Sequence, residues 1–127
     1  MRRKCVTIAV VLALLAAICT AEQAAVRLIT QRTLAMTRDV NELIAAGDME
    51  SAIKKTRALD KAWDEEARRL EVLVDHGSTD DVRYALSRLV AALEGGDAAA
   101  ARIYAGELEG SVEHVYERQA VTVENLF

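Results

Sequence analysis

Residues 1–21 read MRRKCVTIAVVLALLAAICTA, three cations followed by a run from Cys5 to Ala21 that carries no charge. A basic cluster ahead of an apolar run is the pattern of a secretory signal or of a transmembrane helix, and both send the rest of the chain out of the cytosol. At 1.5 Å per residue the run reaches about 26 Å, slightly short of a hydrocarbon core of ~30 Å. An anchor therefore draws on snorkelling by Arg2, Arg3 and Lys4, or on Ala24 and Ala25 beyond Glu22.

Two fates fit this stretch. Cys19-Thr20-Ala21 places small residues where an Ala-x-Ala-like cleavage site needs them, which would release a secreted chain beginning at Glu22. Against cleavage, Glu22-Gln23-Ala24-Ala25 are helix formers with no Gly or Pro before them, so the helix runs on into the next segment. The uncleaved reading makes 1–21 a single-pass anchor and 22–127 a helical domain outside the membrane. The cations then hold the N-terminus in the cytoplasm.

Composition points the same way about fold. The chain has no Pro, only 4% aromatic residues and abundant Ala, Leu, Arg and Glu, which favours helix over a β-sandwich. Removing the charges of Arg2, Arg3 and Lys4 from the formal −4 leaves about −7 on 22–127. An acidic domain is poorly suited to nucleic acid. Cys5 and Cys19 both lie in the apolar run, about 21 Å apart along one helix, and cannot bond each other.

Periodicity predicts four helices. In the first, Val26, Ile29, Thr33, Met36, Val40, Leu43 and Ile44 make one seam, which stops at Gly47 before the N-cap Asp48. The second runs from Met49 to about Asp75 through Ala52, Ile53, Thr56, Leu59, Trp63, Leu70, Leu73 and Val74, with Glu65, Glu66, Arg68 and Arg69 off the stripe. His76 then reads as a cation or donor in the last turn of that helix. The third is short, Asp80 to about Glu94, with Val82, Leu86, Leu89, Val90 and Leu93 on one side. Gly95-Gly96-Asp97 repeats the earlier Gly-Asp junction, and the fourth helix continues from Ala98 through Ala101, Tyr104, Leu108, Val112, Val115 and Gln119 to about Val123.

Short turns between four helices give an antiparallel up-down-up-down bundle. Because the third helix is short, part of that bundle is expected to be three-helical. His76 and the C-terminal Asn125, Leu126 and Phe127 belong at the end nearer the anchor, and the two Gly-Asp turns at the far end. Gly106 and Gly110, four apart in the last helix, either weaken it or admit a close neighbour. Trp63 at mid-stripe reads as a core filler whose indole N–H finds one partner.

A basic N-terminus and single apolar segment, then GDMESAI, Trp63 in KAWDEE, LVDHGSTDDVRYALSRL and a closing TVENLF together resemble domain-of-unknown-function family 4363. The most specific parts are Trp63, Asp75-His76 and Asn125-Leu126-Phe127. The resemblance implies a small bacterial protein with one N-terminal membrane segment and a helical remainder, and supplies no activity.

The residues themselves point to no chemistry. His76 and His114 lack the spaced Glu or His partners of a helix-borne metal site, and Glu117 beside His114 is explained by a surface hydrogen bond. The few serines show no activating base, both cysteines lie in the apolar run, and Gly95-Gly96 follows no strand as a phosphate loop would. The expectation is a non-enzymatic, cofactor-free envelope protein that binds a protein partner or itself. The alternative is a small-ligand sensor resembling the helical bundles of bacterial receptors.

Overall fold

The computed structural model describes residues 1–72 and 74–124, with side chains to Arg118. Helix α1 runs Arg2–Ala45 without a break, so the apolar run and the first seam are one rod of 44 residues, about 66 Å long. From Arg2 to Ala25 no side chain is buried, and Val26 is the first to enter the core. The first part of α1 thus stands clear of the rest of the protein. It is the one helix, among the described residues, long and apolar enough to cross a membrane.

Both far turns have one construction. Gly47 (φ +78°) donates to Ile44 O and Asp48 N to Leu43 O, at 3.1 and 3.0 Å; Gly96 (φ +71°) and Asp97 repeat this on Leu93 and Ala92, at 3.2 and 2.9 Å. The left-handed backbone suits glycine, and the paired bonds satisfy carbonyls the helix end would leave open. Each Asp then starts the next helix, Asp48 accepting from Ser51 N at 3.2 Å and Asp97 from Ala100 N at 3.0 Å. The next helices are α2 (Met49–Leu70) and α4 (Ala98–Glu124), and α3 (His76–Glu94) lies between them.

Each helix packs on its sequence neighbours, and α4 closes the ring against α1. The result is an all-α antiparallel bundle. Val26, Val40, Ile44, Leu59, Trp63, Leu70, Val82, Leu86, Leu89, Leu108, Val112 and Val115 are buried to 2% exposure or less. Ala52, Ala67, Ala101 and Ala105 are buried with them, and such small residues let helix backbones approach.

Two boundaries differ from the sequence expectation. Helix α2 ends at Leu70, and α3 begins at His76 with Asp75 in the cap position. His76 therefore opens α3 and does not close α2, so the favourable placement of a cation at a helix C-terminus does not apply to it. Ser78 and Thr79 are buried inside the first turn of α3, not in a preceding loop, because Thr79 returns its hydroxyl to His76 O at 2.9 Å. With 19 residues α3 is about 29 Å long, the shortest helix, as expected, against about 33 Å for α2 and about 40 Å for α4. It starts four residues earlier than expected and so runs along most of α2.

Gly106 and Gly110 are exposed, and a Cβ on either would meet nothing within 4 Å. The close-approach reading of this pair fails within the chain, leaving only their helix-weakening effect. The side chains of Leu73, Gln119 and Val123, and all of Asn125, Leu126 and Phe127, lie outside the described residues.

Candidate functional site

The half of the bundle nearer the overhanging part of α1 holds Trp63, Asp75 and His76, three of the residues singled out by sequence. Trp63 is 1% exposed, and its Nε1 donates to Thr79 O at 3.3 Å. The Thr79 hydroxyl in turn donates to His76 O, so the indole and the histidine main chain are joined through one α3 residue. The His76 side chain itself is exposed. Asp75 makes no side-chain cap; its Oδ2 accepts from Arg118 Nη1 at 3.2 Å, and the same nitrogen lies 3.2 Å from Ser78 Oγ.

These contacts tie the start of α3 to α2 on one side and α4 on the other. Sequence reasoning found Trp63, Asp75 and His76 but not Arg118, Ser78 or Thr79. Arg118 is 43 residues from Asp75, and an arginine on an amphipathic helix carries no local sign of its partner. A buried Ser-Thr pair at a helix start has the same sequence signature as a loop followed by a cap.

A second polar cluster surrounds Arg83. Its guanidinium meets Asp64 at 3.5 Å, Glu71 at 3.5 Å and Asp80 at 2.8 Å, joining α2, the turn after it and α3. Partial burial pulls the arginine pKa down, but Asp64, Asp80 and Glu71 together raise it. Nearby Asp60 is raised as well, first by burial and then by the Asp64 charge, against the opposing pull of Arg83. Glu66, expected off the stripe, is partly buried: its Oε2 makes no hydrogen bond and lies 4.0 Å from Arg69.

Other cross-helix pairs sit on the surface. Arg27 on α1 reaches the Tyr116 hydroxyl at 3.1 Å with its guanidinium 5.8 Å from the ring centre. Arg38 meets Glu109 at 3.1 Å, and Lys55 meets Asp39 at 2.8 Å. Exposed pairs of this kind contribute little each, but they mark which levels of neighbouring helices lie side by side. Between α3 and α4 runs an open groove of about 340 Å³, with Tyr84 and His114 on its walls and the Arg88–Glu107 pair, 3.4 Å apart, across it. His114 Nδ1 lies 3.7 Å from Glu117, beyond a hydrogen bond. Among the described residues, no group of three or more His, Cys, Asp or Glu converges as a metal site would require.

The geometry is therefore that of a brace: Trp63, Asp75, Ser78, Thr79 and Arg118 fasten three helices beneath the overhang of α1. The family described as a domain of unknown function, DUF4363, matches residues 21–126, beginning where the apolar run ends and covering the bundle. No curated protein and no solved structure matches the chain. Because the family match extends over most of its length, this chain belongs to the DUF4363 family.

Proposed function

We propose that this protein is a membrane-tethered helical module of the bacterial cell envelope. Residues 5–21 cross the membrane, the N-terminus lies in the cytoplasm and the bundle stands outside. It works by binding another protein or a second copy of itself, not by catalysis. One observation carries the reading: the apolar first half of α1 is bare of contacts yet continuous with a core helix. An exposed apolar surface of that length needs a cover, and a bilayer supplies it. Arg2, Arg3 and Lys4 ahead of it set the orientation.

The engagement of the motif residues in ties between helices supports a role for the bundle as a rigid presenting body. Crosslinking in intact cells, followed by purification in mild detergent, tests this. The expected result is a discrete adduct with one partner or with a second copy. Recovery of the chain alone, across several crosslinker lengths, would contradict the reading.

A further inference from the structure

The turn between α2 and α3 differs in character from the two turns at the other end of the bundle. Those consist of Ala46-Gly47-Asp48 and Gly95-Gly96-Asp97, all small or acidic. The α2–α3 turn presents Val72, which is 83% exposed, just after the exposed Arg68 and Arg69 in the last turn of α2. A single exposed valine is ordinary on a soluble surface. Its height relative to the apolar part of α1 makes this one different.

The Lys55–Asp39 pair, 2.8 Å apart, marks the level of α2 on α1. Leu70, the last residue of α2, comes fifteen residues after Lys55, and Ala24 fifteen before Asp39. In antiparallel helices both paths run about 22 Å toward the same end, which brings the end of α2 level with Ala24, just past Glu22, the first charge after the apolar run, and Val72 follows it in the turn. Helix α4 supplies an independent measure. Tyr116 meets Arg27, and Arg118, about 3 Å further along the axis, reaches Asp75. Arg38 with Glu109 gives a second reading on the same two helices, so Arg118 and Asp75 lie beside the stretch between residues 25 and 29 of α1, roughly 6 to 12 Å along it from Ala21. The headgroup layer on each side of a bilayer is about 5 to 7 Å thick.

From these levels we infer that the end of α2 rests in the headgroup layer of the bilayer that α1 crosses, Val72 meeting the acyl boundary and Arg68 and Arg69 the lipid phosphates. The inference rests on the membrane-anchor reading of residues 5–21. The acidic groups beside the turn do not oppose it strongly, since Glu71 is paired with Arg83 and Asp75 with Arg118. A lone spanning helix leaves tilt and rotation to be set by interfacial anchors, and this second contact fixes how the bundle stands on the membrane.

The test uses the full chain with the two free cysteines replaced, Cys5→Ala and Cys19→Ala. Single labels of an environment-sensitive fluorophore go on Leu14→Cys in the apolar run, Val72→Cys in the turn and Ala46→Cys at the far end, each an exposed position. The proteins are reconstituted in vesicles of phosphatidylcholine and phosphatidylglycerol, with and without doxyl-labelled lipid, after circular dichroism shows unchanged helix content. Loss of emission at 14 and at 72, with none at 46, is the expected result. Loss at 14 while 72 behaves like 46 overturns the inference and leaves the anchor in place. No loss at 14 overturns the anchor reading, and the inference with it.

Discussion

The indole Nε1 of Trp63 donates to the main-chain oxygen of Thr79 at 3.3 Å, so the bulkiest core side chain is also a tie from α2 to the first turn of α3. Removing it would leave a cavity at the end of the bundle and unfasten the turn that precedes α3.

Trp63→Ala should therefore cost about 3 to 5 kcal/mol, a large share of the roughly 5 to 15 kcal/mol that holds a domain folded. Trp63→Phe, which keeps much of the ring volume and loses only the N–H bond, should cost less. Urea unfolding followed by circular dichroism measures both. A loss below about 0.5 kcal/mol for the alanine variant, the range of an ordinary surface change, would show that the indole does not fill the core.

Much of this bundle can be read from spacing alone. The junctions Gly47-Asp48 and Gly96-Asp97, the α2 stripe through Leu59 and Trp63, and the α4 stripe through Leu108, Val112 and Val115 all follow from periodicity and turn chemistry. The core of α1 is harder to see, because Thr30, Thr33 and Thr37 make up much of its buried face. Each donates its hydroxyl to the carbonyl four residues back, at 2.7, 2.9 and 2.8 Å, and is buried as a satisfied, valine-shaped residue. Only Thr33 falls in a visible gap of the apolar pattern.

The start of α3 is misread for a related reason. His76-Gly77-Ser78-Thr79 has the composition of a loop, and as the first turn of α3 it meets Trp63 and Arg118, which are distant in sequence. Local chemistry does not encode those partners. The ties of Trp63 to Thr79 and of Arg118 to Asp75 and Ser78 arise only from the packing of the helices.

Gly106 and Gly110 lie in the interior of α4 with open space where a Cβ would go. Gly106→Ala and Gly110→Ala should each stabilise the protein by about 0.5 to 1 kcal/mol, by limiting the unfolded chain and favouring helix. Thermal melts of the single and double variants measure the gain. A loss of stability in either would mean that something closes on this face of α4.

Asp60 gives a pH dependence with a definite sign. Burial, and then the charge of Asp64, raise its carboxyl above the ordinary 3.8, with Arg83 opposing. The folded state holds that proton more tightly than the unfolded chain does. Its contribution to folding is thus complete below the ordinary value and is lost as pH rises through the raised one. Asp60→Asn should be more stable than the parent near neutral pH, by under about 1 kcal/mol because the group is only partly buried. The gain should fade on acidification below the ordinary carboxylate range. Asp48 has the opposite sign: hydrogen bonding from Ser51 lowers its pKa, so its contribution is present above 3.8 and disappears as pH falls through the lowered value. Urea melts of the Asp60 variant across the acid range decide the matter, and a gain that grows on acidification would reverse the assigned sign.

The central claim is that residues 5–21 remain attached and hold the bundle at a membrane. Its most direct test is the intact mass of the protein recovered from fractionated cells. The account predicts the whole 13.9 kDa chain in the membrane fraction, released by detergent but not by high salt or carbonate. A shortened chain beginning at Glu22, found in the soluble fraction, would contradict it.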